Sequence, residues 1–334
     1  MMADYSYNQV TPELIEAFKK IVPGKVFTGD EINADYSQDE MPIYGKGAPT
    51  VLVEATTTED VAAIVKLCYE NSIPVIPRGA GTGLTGAAVA LHGGVMIDMS
   101  KMNKILEYDK ENFVVRVEAG VLLNDLAEDA QKQGLLYPPD PGEKFATLGG
   151  NVSTNAGGMR AVKYGCTRDY VRAMTVVLPT GEIVKLGATV SKTSTGYSLL
   201  NLMIGSEGTL GIITELTLKL IPAPNETISL IIPYENLEDC IATVPKFFME
   251  HLQPQAIEFM EKEIVLASER YLGKSVFPQK LEGVDIGAYL LVTFDGDDME
   301  SLEEITEKAA EVVLEAGAID VLVADTPAKK KDAW

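Results

Sequence analysis

The feature that most constrains this chain is a concentration of glycine in a loop that directly follows an apolar strand. The segment PRGAGTGLTG, residues 77–86, has four glycines in its last eight positions, and the predicted strand Pro74–Ile76 comes directly before it. Because glycine has no Cβ, several backbone N–H groups of such a loop can approach one anion and form a nest for phosphate. Arg78 adds a permanent positive charge and Thr82 a hydroxyl group. The segment predicts an anion-binding loop, and a plain tight turn is the alternative.

Two common nucleotide-binding motifs are absent from the sequence. The dinucleotide fingerprint of nicotinamide enzymes needs G-x-G-x-x-G at the start of a helix, with an acidic residue about 20 positions further on. Here the glycines of residues 79–83 are followed by LTGAAVALHGG, which is a poor helix start. The P-loop pattern G-x-x-x-x-G-K-[ST] does not occur either, so a P-loop nucleotidase is excluded at the level of the motif.

Glycine is also concentrated in two later segments. PPDPGEKFATLGGNVSTNAGG, residues 138–158, combines a proline-rich entry with hydroxyl and amide side chains, and GSEGTLGIIT, residues 205–214, leads into a strand. The longer segment is suited to wrapping a polar, planar ligand with main-chain contacts. Three glycine-rich loops at strand ends in one domain indicate a large, extended ligand, because a small anion needs only one of them.

The composition argues against several classes of partner. The 334 residues include 28 Lys and Arg against 49 Asp and Glu, which gives a formal net charge of −21. This balance disfavours nucleic acid and an anionic membrane surface as partners. The three cysteines are too few and too far apart for a disulfide framework or a zinc site. Neither a signal peptide nor a transmembrane helix is visible in the pattern, so the expected location is the cytoplasm.

The pattern of apolar residues predicts two domains and an N-terminal extension. Residues 1–44 are expected to form a helix, capped by Thr11 with Pro12 at its first position, and an irregular connector. Residues 45–223 are expected to form a binding domain, in which Thr57 and Asp60 make a capping box. IPAPN, residues 221–225, marks the boundary. Residues 224–334 show two helices among four strands, which predicts a layer of the split βαβ type.

The glycine-rich segments resemble a known family of flavoproteins. PRGAGTGLTG, PPDPGEKFATLGGNVSTNAGG, YGCTRDYV and GSEGTLGIIT occur in the order found in the vanillyl-alcohol oxidase and p-cresol methylhydroxylase family. The chain is most similar to the branch of D-lactate dehydrogenases and glycolate oxidase subunits, and within it to subunits that work with an electron-transfer flavoprotein. The resemblance implies an α+β protein: a two-subdomain FAD-binding domain of the p-cresol methylhydroxylase type, followed by part of an α+β cap domain that is incomplete at its C-terminus.

The resemblance also implies which residues hold FAD. Arg78–Gly83 would cradle the pyrophosphate, and the second segment would line the cofactor near the flavin. The third segment would contact the adenine or flavin end through its backbone. The residues assigned to the cofactor are Pro77, Arg78, Gly79, Ala80, Gly81, Thr82, Gly83, Pro139, Asp140, Pro141, Gly142, Thr147, Leu148, Gly149, Gly150, Ser153, Thr154, Asn155, Gly157, Gly158, Glu207, Gly208, Gly211, Ile212 and Ile213. Thr82 stands where some members carry the histidine that bonds FAD covalently, so non-covalent FAD is expected.

The reaction implied by the resemblance is oxidation of a D-2-hydroxy acid, with D-lactate as the first candidate and glycolate as the second. Hydride would pass to flavin N5 while a base takes the hydroxyl proton. The electrons would continue to a partner such as an electron-transfer flavoprotein. The narrowest resemblance also implies that this partner bifurcates the electrons to NAD and ferredoxin. The two histidines, His92 and His251, lie in no catalytic motif of the family. The resemblance implies that the catalytic base, an arginine for the carboxylate and a His-rich stretch that binds a divalent metal lie in a C-terminal segment, and no metal ligand is expected in these residues.

Two other functions remain open at this level. The chain could be a non-catalytic electron-relay subunit that binds flavin, since no base is visible in it. It could also be a relative that oxidises another alcohol, an aldose or an alkyl-glycerone phosphate. Lys163, Tyr164 and Arg168 have two interpretations, either an approach to flavin or substrate or ion pairing with carboxylates. The acidic run at residues 294–304 is expected to be a solvated loop and helix cap rather than a calcium site.

Overall fold

The computed structural model describes residues 7–281 and 283–324, and these residues divide into two compact units. The first unit comprises residues up to 137, residues 141–156 and residues 166–221. The second comprises residues 138–140, residues 157–165 and the chain from Pro222 onward. Both units combine helices with β-sheets, which confirms the predicted α+β class.

The first unit begins with a short parallel sheet that ends at the glycine loop. Its strands lie in the order Val26–Thr28, Val51–Glu54, Val95–Asp98, Val75–Arg78. The last three are parallel, and only the first is antiparallel to its neighbour. The strand Val75–Arg78 therefore delivers the glycine-rich segment to one end of the sheet, as the sequence predicts.

The helix Thr58–Glu70 joins this sheet to a second one. Thr57 caps the helix with the predicted capping box, in which its side chain accepts a hydrogen bond from the amide of Asp60. Ile64 in the helix is fully buried in a core that contains Ile97 from the parallel sheet and Val177 from the second sheet. The predicted first helix is also present: Pro12–Ile21 is capped by Thr11 and packs against this core through Phe18.

The second sheet is antiparallel and has five strands. Their order is Ile105–Asp109, Val114–Glu118, Ile212–Lys219, Val171–Val177, Ile183–Gly187. The remaining elements of this region are short: the helices Leu123–Lys132, Leu148–Thr154 and Leu199–Met203, and the strands Leu135–Leu136 and Ile221–Pro222. The connector after the first helix holds three 3₁₀ turns, Gly29–Glu31, Ala34–Ser37 and Pro42–Tyr44.

The second unit has the sheet topology that the sequence predicts. Its strands lie in the order Ala256–Glu261, Ala288–Gly296, Glu226–Tyr234, Leu322–Ala324, and every neighbouring pair is antiparallel. In chain order this is 2-3-1-4, the arrangement of a split βαβ layer. A two-stranded hairpin, Lys280–Leu281 with Val284–Asp285, accompanies the sheet.

Helices cover both faces of this sheet. Leu237–Met249 and Met299–Glu315 pack on one face, where Leu230 and Val292 are completely buried. Lys262–Leu272 packs on the other face, against Ile231 and Leu291. Lys262–Leu272 is not among the helices predicted from the sequence. Asp298 caps Met299–Glu315, which confirms the expected helix cap in the acidic run.

Candidate functional site

The three glycine-rich segments meet at one cavity in the first unit. Its volume is about 510 Å³, within the range of cofactor and ligand pockets. The structure places eighteen of the residues assigned from the sequence in its wall. They are Pro77, Arg78, Gly79, Ala80, Gly81, Thr82, Gly83, Pro141, Thr147, Gly149, Gly150, Ser153, Thr154, Glu207, Gly208, Gly211, Ile212 and Ile213.

The glycine loop presents unpaired donors to this cavity. Among the described residues, the seven consecutive backbone amides of residues 79–85 donate to no protein acceptor. All seven residues line the cavity. These residues are half-buried or exposed, so their amides are open to water or to a ligand. A run of such amides along a cavity is suited to the oxygens of a phosphate or diphosphate.

Arg78 has a different local role from the one its charge suggested. Only 6% of the residue is exposed. Its Nη1 donates to the carbonyl oxygens of Gln38 at 2.9 Å and Ala88 at 3.1 Å, and its Nη2 donates to that of Asp35 at 3.1 Å. The guanidinium group therefore orders the chain around the loop, and a direct contact with phosphate stays a prediction.

Acidic groups compensate the buried charge of Arg78. Burial lowers the pKa of its guanidinium group, and Tyr36, Asp98 and Asp39 act against this shift. The Tyr36 ring lies 5.3 Å from the guanidinium carbon, and its hydroxyl donates to Asp98 Oδ2 at 2.8 Å. Burial and then this hydrogen bond raise the pKa of Tyr36. The network gives the end of the strand Val75–Arg78 a rigid base.

The second segment forms a helix where the sequence suggested a wrapping loop. Thr147 caps Leu148–Thr154, and its Oγ1 accepts from the amide of Gly150 at 3.3 Å. The two glycines hide this helix from a propensity argument, whereas Thr147 and the buried Leu148 stabilise it. A Cβ on Gly79 would lie 2.2 Å from Thr147 Oγ1, so the first two segments touch only because Gly79 has no side chain.

The third segment is hydrogen-bonded to the second. The amide of Glu207 donates to the carbonyl oxygen of Ser153 at 2.9 Å, and that of Gly205 donates to Val152 at 3.0 Å. Glu207 and Gly208 both have a positive φ, at 52° and 76°. A Cβ on Gly208 would lie 2.7 Å from Pro77 Cγ, so this position also needs glycine. The three segments thus form one connected wall.

Seven assigned residues do not line the cavity. Leu148 is completely buried in its helix, and the Asn155 side chain accepts a hydrogen bond from the amide of Arg168 at 2.9 Å. The other five are Pro139, Asp140, Gly142, Gly157 and Gly158. Of these, Pro139, Asp140, Gly157 and Gly158 belong to the second unit. Their contact with a cofactor stays a prediction.

Ten further residues line the cavity without being named one by one in the assignment, although Asn151 and Ala156 lie in the second segment, which was expected to line the cofactor. Asn151 is 5% exposed, and its Nδ2 is buried with no hydrogen-bond partner among the described residues. Its place in the GGNVST stretch, among other polar side chains, was the available signal. The other nine are Leu84, Thr85, Ala87, Ala88, Met99, Ala119, Glu143, Ala146 and Ala156. Most are apolar or small and reach the wall through tertiary packing, which no local pattern reveals.

The charges around the cavity favour main-chain recognition of an anion. Of the described residues in the wall, Arg78 is the only basic one, while Glu143 and Glu207 are acidic. Since the Arg78 donors are engaged with carbonyl groups, an anionic ligand would depend mainly on the unpaired amides. The cavity volume, the extended wall and the unpaired donors fit a large ligand that carries phosphate.

In the described part of the chain, neither His92 nor His251 lies in the wall of this cavity. The His92 ring lies 5.7 Å from that of Tyr7, and His251 follows the helix Leu237–Met249 with a φ of 60°. Within residues 7–281 and 283–324, no three His, Cys, Asp or Glu side chains form a group suited to a metal ion. No helix in that part of the chain has the length and apolar character needed to cross a membrane.

Comparison with known proteins decides the family. Residues 49–187 match the FAD binding domain family, and residues 223–334 match the C-terminal domain of FAD linked oxidases. The chain is 77% identical over 333 residues to a D-lactate dehydrogenase of Anaerostipes hadrus, which covers 100% of this chain and 70% of that protein.

The chain belongs to the FAD-linked oxidases.

It is therefore an FAD-dependent oxidoreductase, and its resemblance to the branch of D-lactate dehydrogenases and glycolate oxidase subunits is confirmed. It is 37% identical over 301 residues to the glycolate oxidase subunit GlcD of Bacillus subtilis, across 89% of this chain and 62% of that protein. Among solved structures, alkyldihydroxyacetonephosphate synthase superposes with a TM-score of 0.81 at 22% identity, covering 98% of this chain and 68% of that one. Substrate-bound p-cresol methylhydroxylase superposes with a TM-score of 0.78 at 20% identity, covering 96% and 68%. These likenesses confirm the predicted fold.

Proposed function

We propose that this FAD-linked oxidase binds FAD non-covalently in the cavity of its first unit and oxidises a D-2-hydroxy acid to the 2-oxo acid. The observation that carries the cofactor site is the run of seven unpaired amides at residues 79–85. They would hold the diphosphate, while the residues of the second and third segments would line the rest of the cofactor. Thr82 has no imidazole to offer for a covalent bond, which supports a dissociable cofactor.

D-lactate is the first candidate substrate and glycolate the second. The names of the relatives support this choice: a D-lactate dehydrogenase at 77% identity and a glycolate oxidase subunit at 37%. When bound, FAD would supply flavin N5 as the acceptor of the hydride from C2 of the hydroxy acid. No described residue is assigned here as the base or as a metal ligand.

We also propose that the electrons leave to a protein, such as an electron-transfer flavoprotein that can divide them between NAD and ferredoxin. The general similarity of the sequence to subunits that work with such a partner supports this part of the proposal. The cytoplasm is the proposed location, because the three cysteines are free and two of them are buried as reduced thiols.

The test is anaerobic reduction of the FAD-loaded full-length protein. We expect D-lactate to bleach the visible flavin absorption, glycolate to do so more slowly, and L-lactate to leave it unchanged. Addition of an electron-transfer flavoprotein should then restore the oxidised spectrum. Flavin that stays oxidised with both hydroxy acids would contradict the proposal and favour an electron-relay subunit. Reduction by an unrelated alcohol alone would show that the enzyme acts on another class of substrate.

A further inference from the structure

The connector before the first parallel strand is attached to the outside of the glycine loop. We name residues 33–40 the strap. Arg78, at the start of the loop, donates to two carbonyl oxygens of the strap, those of Asp35 and Gln38. Further along the loop, the amide of Glu40 donates to the carbonyl oxygen of Gly83 at 3.2 Å. The strap precedes the residues matched to the FAD-binding family.

Asp39 supplies the strap's shortest contact with the loop. Only 6% of the residue is exposed, and its Oδ2 accepts a hydrogen bond from the amide of Gly86 at 2.7 Å. Its Oδ1 accepts from the amide of Met41 at 3.0 Å. A buried carboxylate is costly unless hydrogen bonds and an opposite charge compensate it. Here the two amides supply the hydrogen bonds, and electrostatic attraction to the guanidinium group of Arg78 supplies the charge.

The loop has few backbone hydrogen bonds of its own. Residues 79–85 donate no hydrogen bond to a described protein acceptor, so their own backbone contributes little to holding their conformation. Glycine at several of these positions adds conformational freedom, which costs free energy to restrict. The strap binds the loop at Arg78, Gly83 and Gly86, that is, at its beginning, middle and end.

We propose that the strap is a positioning element of the cofactor site and that Asp39 is its anchor. By fixing the loop from outside, it keeps the amides of residues 79–85 oriented toward the cavity before any ligand arrives. The strap thereby sets the affinity for the diphosphate of the cofactor. This inference rests on the proposed function only in that last step, because the ordering of the loop is a property of the protein alone.

The test compares three single variants of the full chain. Asp39→Ala removes the acceptor and the charge, whereas Asp39→Asn removes the charge and keeps an acceptor for the amide of Gly86. Asp30→Ala is the matched control, because Asp30 is an exposed aspartate of the same connector. The first readout is residue-resolved hydrogen–deuterium exchange of the FAD-free protein at Gly86 and Val89, whose amides are both hydrogen-bonded. The second is the dissociation constant of FAD.

We expect Asp39→Ala to raise exchange at both amides and to weaken FAD binding about tenfold, while Asp39→Asn regains most of the affinity and Asp30→Ala matches the parent. Unchanged exchange in Asp39→Ala would overturn the ordering role. Faster exchange with unchanged FAD affinity would overturn the claim that the strap sets affinity. If the parent protein bound no FAD, the proposed function would fail, and the exchange data alone would then decide whether the strap orders the loop.

Discussion

Two of the three cysteines are buried deeply enough to suppress their chemistry. Burial raises the pKa of the Cys68 and Cys240 thiols to about 12. Because the thiolate is the reactive form, a raised pKa keeps both groups protonated and inert near neutral pH. Cys166 is only half-buried and directly precedes the 3₁₀ turn Thr167–Tyr170. The three cysteines therefore differ in the reactivity of their thiols because they differ in burial.

We therefore predict selective labelling of Cys166. Iodoacetamide at about pH 8 should modify Cys166 in the folded protein, while Cys68 and Cys240 react only after unfolding. The same pKa shift makes the stability of the fold depend on pH. The thiols ionise at a lower pH in the unfolded chain than in the folded one, so the stability that the two buried thiols contribute is complete below about pH 9 and falls as the pH rises toward 12. Peptide mass spectrometry checks the labelling. Equal labelling rates for all three would contradict the account.

Asp295 is the buried charge of the second unit. Its side chain is completely enclosed and accepts hydrogen bonds from Lys163 Nζ, from the Tyr164 hydroxyl at 2.5 Å and from Gln255 Nε2 at 2.8 Å. Of the two interpretations left open for Lys163 and Tyr164, the structure favours pairing with a carboxylate. The segment 157–165 is in this way fixed to the strand Ala288–Gly296 of its own unit.

We predict that Asp295→Asn lowers the free energy of unfolding by about 1.5–3 kcal/mol, because it removes the charge-assisted hydrogen bonds that the enclosed carboxylate accepts from Lys163 and Tyr164. Asp285→Asn is the matched control. It breaks the exposed pair with Lys280, whose side chains are 76% and 58% exposed, and should cost less than about 1 kcal/mol. Urea denaturation checks both values. Similar costs for the two variants would show that burial does not distinguish the pairs.

At the scale of single elements, two glycines of the same loop differ in what they tolerate. Gly81 has a φ of 76°, and a Cβ there would lie 2.1 Å from Arg78 Nη2. Gly83 does not have a positive φ, and nothing lies within 4 Å of its Cβ position. The first glycine is needed for the shape of the loop. The second lines the cavity and leaves room for a ligand.

We predict opposite patterns for substitutions at these two positions. Gly81→Ala should destabilise the FAD-free protein by about 1–3 kcal/mol, the usual cost of a left-handed non-glycine residue. Gly83→Phe should change that stability by less than about 0.5 kcal/mol and still weaken FAD binding, because the ring would occupy ligand space. Thermal unfolding and FAD titration separate the two effects. Full FAD affinity in Gly83→Phe would contradict the placement of the cofactor beside this residue.

Local chemistry explains which elements the sequence could predict. The helices that begin at Pro12 and Thr58 carry side-chain caps that can be recognised without tertiary information. The helix Leu148–Thr154 contains two glycines, and Lys262–Leu272 has no side-chain cap, so neither carries all the local signals that reveal the other two. The role of Arg78 depends on carbonyl groups about 40 positions earlier in the chain, and such partners cannot be read from the loop itself.

At the scale of the whole molecule, the order of the elements predicted the type of layer, whereas the order of its strands comes from the structure. Two helices among four strands predicted a split βαβ layer in the second unit, and the glycine segments predicted the cavity of the first. The assignment of residues 138–140 and 157–165 to the second unit could not be predicted. It depends on long-range contacts such as the one between Lys163 and Asp295, which leave no local signal.

The central claim is that the cavity of the first unit is a site for dissociable FAD. Titration of the FAD-free protein with FAD, FMN and NAD, followed by visible absorption and flavin fluorescence, tests it most directly. We predict saturable binding of FAD, weaker binding of FMN because it lacks the diphosphate, no binding of NAD, and full release of the flavin on acid precipitation. A protein that stays colourless and takes up no FAD would contradict the account.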